Sequence, residues 1–80
     1  MSNNWVEKDN KLSKTYKFDS FMDAINWMSK AAVVIEEFNH HPEWSNLYNK
    51  VNVILRTHDA GYIVTNKDRK LAQLLDDVDL

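Results

Sequence analysis

The chain of 80 residues has no cysteine, one glycine and one proline. Without a thiol it has no disulfide framework, no cysteine-ligated zinc and no cysteine nucleophile. A single glycine cannot build a Gly-rich phosphate loop, and no Gly/Ser-rich linker or internal repeat divides the sequence, so residues 1–80 read as one domain. No stretch approaches the ~18 apolar residues of a membrane span, and residues 1–20 hold no apolar run flanked by positive charge. The expectation is a cytoplasmic protein without membrane partners. A bias of charge is missing as well: residues 1–40 and 41–80 each hold five Lys/Arg against six Asp/Glu. No basic stripe is available to meet a phosphate backbone, so nucleic acid is not an expected partner.

A domain of this size buries only roughly 60 % of the surface its unfolded chain exposes. With no staples to support so small a core, a homo-oligomer is expected. Aromatic residues make up 11 % of the chain, which commits aromatic faces to packing, to an interface or to a flat ligand.

The pattern along the chain reads strand, strand, helix, strand, strand, helix. Trp5 to Lys8 and Lys11 to Phe18 flank Asp9-Asn10, a pair that tolerates the positive φ of a tight hairpin. Ser20 followed by Asp23 is a capping-box signal, and Phe21 to about His40 then has helical periodicity. Phe21, Ala24 or Ile25, Met28, Ala31 or Ala32, Ile35 and Phe38 make one apolar stripe. Trp27, Val33 and Val34 fall partly outside it, as deeper core or as a subunit contact. Pro42 ends this helix near His41. Trp44 to Tyr48 and Val51 to His58 follow as strands joined around Asn49-Lys50. Thr65 and Asp68 repeat the capping box, and Leu71, Leu74, Leu75 and Val78 form the stripe of a last helix. The expected fold is α+β, a β-β-α-β-β-α two-layer domain with helices on one face of an antiparallel four-stranded sheet.

All three histidines, His40, His41 and His58, fall at the ends of elements, where sites are usually built. Glu36, four residues before His40, shares its helical face and is expected to meet it. His41, extended before Pro42, diverges from His40. Asp59 is placed either to orient His58 or to serve the turn. Zinc sites on helices set histidines at i and i+4, whereas adjacent histidines at a helix end diverge, so no metal is expected. Neither Ser45 nor Thr57 has the strand-turn-helix context of an activated hydroxyl. Proton transfer by imidazoles is the chemistry that survives.

Glu36, three residues, His40-His41-Pro42, five residues, Tyr48, nine residues, His58, nine residues and Asp68 together form a pattern. It resembles the signature of the pterin-4a-carbinolamine dehydratases. The runs Asn39-His40-His41-Pro42-Glu43-Trp44, Tyr48-Asn49-Lys50-Val51 and Thr57-His58-Asp59-Ala60-Gly61 are similar to the family's almost residue for residue, and the likeness spans roughly Trp5 to Leu75. Two departures stand out. Many members carry an additional helix before the first strand, which this chain is expected to lack. One extra residue also stands between His58 and Asp68, where Tyr62-Ile63-Val64 replaces a shorter Gly-Leu segment.

The resemblance implies dehydration of a 4a-hydroxytetrahydropterin to the quinonoid dihydropterin, with no cofactor, in a homodimer or homotetramer. It implies His40, His41 and His58 as catalytic residues. Glu36, Asn39, Pro42, Trp44, Tyr48, Asp59 and Asp68 would bind or orient the substrate or the histidines. Glu36 would hold His40, Asp68 would contact His58 or its loop, and Trp44 or Tyr48 would offer the pterin a stacking wall or else both serve as core or interface aromatics. The alternative implied by the same family is a non-catalytic interaction module that uses its helical face.

Overall fold

The structure, a computed structural model, describes residues 4–79. Asp9 and Asn10 lie at φ 54° and 61°, the left-handed pair that a two-residue hairpin turn requires. They join β1 (Val6–Lys8) to β2 (Lys11–Lys17), with Glu7 opposite Leu12. The Ser20 hydroxyl oxygen accepts from the Asp23 N–H at 3.0 Å and starts α1 (Phe21–Phe38). After β3 (Glu43–Leu47) and β4 (Lys50–Leu55) comes α2 (Asn66–Asp76), capped by Thr65. The sheet is antiparallel throughout in the order β1-β2-β4-β3, so the expected α+β fold is the one observed.

Beyond one-residue shifts at the ends of β1, β2 and β3, three boundaries differ from the sequence reading. α1 ends at Phe38, because Asn39 turns left-handed at φ 58° while its N–H still bonds the Ile35 carbonyl at 2.9 Å. Asparagine is one of the few residues that tolerate this cap, so the helix stops three residues before Pro42 could act. The second hairpin turns at Tyr48-Asn49, one residue earlier than expected. Asn46 Nδ2 donates to the Tyr48 and Lys50 carbonyls, and Asn49 is tied to Phe18 by two hydrogen bonds of 2.8 Å. These bonds hold Tyr48 at φ 55°. Finally, β4 stops at Leu55, and His58 opens a single 3-10 turn, His58–Ala60, instead of ending the strand.

Alternation along β4 buries Val51, Val53 and Leu55 completely on the helical side. Each contributes roughly 1.5–3 kcal/mol of burial. Leu12 joins them from β2, with Ala24, Trp27, Ala31 and Ile35 of α1 and Leu71, Ala72 and Leu75 of α2. Trp27 is only 2 % exposed, wedged against Tyr16, Phe18 and Trp44 at ring separations of 4.3, 5.6 and 6.4 Å, so it belongs to the core. Val33 is 58 % exposed and does not.

One carboxylate ties the last turn of α2 to the first hairpin. Asp76 accepts from Trp5 Nε1 at 3.0 Å, from Lys14 Nζ at 2.7 Å and from the Tyr16 hydroxyl. Burial, then the bond to Asp76 and its charge, push the Tyr16 phenol far above its ordinary value, so it remains a donor. Burial also acts to raise the Asp76 carboxyl, but the bonds from Lys14, Tyr16 and Trp5 outweigh it and hold the group below its ordinary 3.8. Asp76→Ala should therefore lower the unfolding free energy by about 2–3 kcal/mol in urea titrations at neutral pH. A depressed folded-state value means that this stability is complete above about pH 4 and is lost as the pH falls further. The wild-type urea midpoint should thus fall more steeply below that pH than the midpoint of Asp76→Asn.

Candidate active site

The left-handed turn at Asn39 decides the geometry of the site. By taking the chain off the helical spiral, it swings His40 away from Glu36 and across to α2. His40 Nε2–H donates to Asp68 Oδ1 at 2.6 Å. Glu36 instead meets His41, whose Nε2 lies 2.9 Å from Glu36 Oε1, with both groups largely exposed. The expected Glu36–His40 pair is thus replaced by two others: the i, i+4 rule holds only while the helix continues.

Asp68 is completely buried, and both of its carboxylate oxygens have hydrogen-bond partners. Its Oδ2 accepts from the Thr57 hydroxyl and from the Thr65 N–H, both at 2.8 Å. Thr57 and Thr65 Oγ1 are 2.6 Å apart, and since Thr57 gives its proton to Asp68, Thr65 donates to Thr57. A chain of donors therefore ends on one carboxylate, with His40 arriving from the other side. The capping box read from Thr65 and Asp68 is present, and the same carboxylate both starts α2 and orients a histidine. Of the two contacts expected of Asp68, none is made with His58 among the described residues, whereas the segment that follows β4 is bonded through Thr57 and Thr65. Because a carboxylate only accepts, Nε2 of His40 must carry hydrogen, which leaves Nδ1 as the nitrogen that can exchange a proton.

His40, His41 and His58 line one hollow of about 350 Å³ together with Asn39, Asp59, Arg56, Thr57 and Lys67. His40 comes from the end of α1, His41 from the link into β3, and His58 from the turn after β4. Asp59 reaches the hollow but makes no hydrogen bond to His58 among the described residues. Arg56, Thr57 and Lys67 were not anticipated. Thr57 did carry a signal, since it continues the buried alternation Val51, Val53, Leu55 at 7 % exposure. Arg56 and Lys67 occupy polar positions that sequence does not separate from any solvated face.

Four candidates lie elsewhere. Glu36 and Pro42 flank the hollow in sequence without lining it. Trp44 is half-buried against the core, packed on Trp27, and Tyr48 sits in the β3–β4 turn at 66 % exposure. Neither ring forms the expected stacking wall, because the aromatic cluster under the sheet claims one and the hairpin turn the other. Among the described residues, no helix is long and apolar enough to cross a membrane, and no group of three His, Asp or Glu is placed to hold a metal ion.

The sequence profile described as pterin 4 alpha carbinolamine dehydratase matches residues 1–78. The chain belongs to the pterin-4α-carbinolamine dehydratase family. Provisionally named members from Roseobacter denitrificans and Opitutus terrae are similar to it. The first is 49 % identical over 71 residues, covering 89 % of this chain and 71 % of its own. The second is 51 % identical over 69 residues, covering 86 % and 71 %. A crystal structure from Brucella melitensis, described as a transcriptional coactivator/pterin dehydratase, superimposes with a TM-score of 0.88 at 36 % identity, covering 95 % of this chain and 82 % of that one. A pterin dehydratase-like protein described as a RuBisCO assembly factor in the alpha-carboxysome shares the fold at a TM-score of 0.80 and 23 % identity, over 95 % of this chain and 89 % of its own. Pterin-4α-carbinolamine dehydratase membership thus rests on sequence over nearly the whole chain and on a matching architecture.

Proposed function

We propose that this protein dehydrates a 4a-hydroxytetrahydropterin to the quinonoid dihydropterin, the step that returns a tetrahydropterin to use after an aromatic amino acid hydroxylase has consumed it. The observation that carries this reading is the convergence of three imidazoles on one hollow, one of them hydrogen-bonded to a buried carboxylate. The reaction breaks the bond between carbon 4a and its hydroxyl, which leaves as water after accepting a proton. Ring nitrogen 5 gives up its proton as the C=N bond forms. An acid and a base are therefore required, and neither a nucleophile nor a redox group is.

His40 and His58 are the acid and base pair, with His40 exchanging its proton at Nδ1 while Asp68 holds Nε2. His41 and Asn39 bind and orient the pterin at the rim. The small core supports a homodimer or homotetramer as the working form. The wild-type protein, added to carbinolamine generated by an aromatic amino acid hydroxylase, should accelerate the appearance of quinonoid dihydropterin in proportion to its concentration. Formation at the uncatalysed rate would contradict the reading.

A second reading has an observation of its own. The outer side of α1 exposes Met22 and Val33, at 60 % and 58 %, which suits an interaction module using the helical face. Such a module has no use for three histidines around a hollow, and so the enzymatic reading is preferred.

A further inference from the structure

His40 and His58 are held in different ways. His40 has a buried carboxylate partner, whereas the ring of His58 makes no hydrogen bond among the described residues and its residue is exposed. What it does have is Tyr62. The two rings meet edge to face, 4.5 Å apart at 84°.

Tyr62 is itself fixed from two sides. Its backbone stands at φ 61°, directly after Gly61 at φ 91°. A bulky aromatic residue is rarely found in this left-handed region, and retaining one there is unfavourable unless the surroundings impose it. The Tyr62 N–H donates to the Thr57 carbonyl at 3.0 Å, and Thr57 and Ile63 pair across the loop through a 2.8 Å bond. On the ring, the Arg56 guanidinium lies 5.3 Å from the centroid. Arg56 in turn is gripped by Glu43, through Nε to Oε2 at 2.7 Å and Nη2 to Oε1 at 3.2 Å. That bidentate grip lowers the Glu43 carboxyl and keeps the pair charged.

We infer that Tyr62 is a positioning residue that fixes the His58 imidazole at the hollow, braced from behind by the Glu43–Arg56 pair. It sits in the segment Tyr62-Ile63-Val64, where the chain departs most from the pattern it resembles. The lengthened loop thus supplies a ring that packs against His58, which lacks the hydrogen-bonded partner that Asp68 gives His40. Its consequence for turnover rests on the dehydratase reading, but the holding of the ring does not.

Two substitutions separate the ring from the backbone. Tyr62→Gly removes the ring and suits the positive φ better than tyrosine, so the fold should be at least as stable. Tyr62→Phe keeps the ring. In NMR of the His58 side chain, the ³J couplings that report its χ1 rotamer should average in Tyr62→Gly toward those of an unrestrained histidine, while Tyr62→Phe keeps the wild-type couplings. With enzymatically generated carbinolamine, Tyr62→Gly should lower kcat roughly tenfold through misplacement of the imidazole. KM should stay within about twofold, and Tyr62→Phe should restore kcat. Unchanged His58 couplings in Tyr62→Gly would overturn the inference, as would averaged couplings with kcat intact. A wild type with no dehydratase activity counts against the proposed function alone, because the side-chain couplings still decide whether Tyr62 holds His58.

Discussion

Replacing Asp68 with alanine is expected to cost about 3–5 kcal/mol of folding stability. The change strips a common acceptor from the Thr57 hydroxyl, the Thr65 N–H and His40 Nε2–H, all around a fully buried position. Each donor left dry costs about 1–3 kcal/mol. A domain of this size has only about 4–12 kcal/mol in total, so Asp68→Ala should melt at a markedly lower temperature than the wild type, as thermal unfolding followed by circular dichroism would show.

The isosteric Asp68→Asn isolates the chemical role. Its amide oxygen can still accept from Thr57 and Thr65, so the cap of α2 survives and the protein should fold. The amide NH₂ then faces His40 and can only donate, which forces Nε2 to become an acceptor and moves the ring proton to Nδ1. A wrong tautomer disables a histidine that is otherwise well placed. The dehydration rate of Asp68→Asn should fall about 10²-fold or more. The ¹⁵N shifts of the His40 ring should report the exchanged tautomer. A folded Asp68→Asn protein with the wild-type rate would show that the Asp68–His40 bond does not serve catalysis.

Local chemistry made much of this molecule readable from its sequence. Asp9-Asn10 marks a turn because both residues accept positive φ, and the Ser20 cap and the Thr65–Asp68 capping box mark helix starts because their side chains satisfy backbone N–H groups nearby. Alternation in Val51, Val53, Leu55 and Thr57 gave the buried face of β4 directly. What sequence did not disclose depended on one backbone angle or on distant parts of the chain. Asn39 looked like the penultimate residue of a helix, and its left-handed turn exchanged the partners of His40 and His41. Asp68 was legible as a cap, but its bond to His40, 28 residues away, exists only once α1 and α2 have packed. The same holds for Arg56, whose place at the hollow follows from its grip on Glu43 across the β3–β4 pair and from a loop that curls back over it.

Aromatic residues showed the limits of composition most clearly. Trp5, Tyr16, Phe18, Trp27 and Trp44 lie in one connected cluster beside the core. A flat-ligand role and a packing role draw on the same residue types, and here packing claimed most of them. Two rings meet site histidines edge to face, Phe38 against His40 and Tyr62 against His58, the second in a loop whose conformation no periodicity encodes.

The central claim is that His40 and His58 carry the acid and base roles in pterin dehydration. The most direct measurement follows quinonoid dihydropterin formation from enzymatically generated carbinolamine with the wild type and with a His40→Ala, His58→Ala double variant whose circular dichroism shows it folded. General acid–base groups each contribute about 10²–10⁴-fold, and residues acting as a unit do not add. The double variant should therefore lose about 10³-fold of the catalysed rate. A folded double variant that keeps the full wild-type rate would contradict the account.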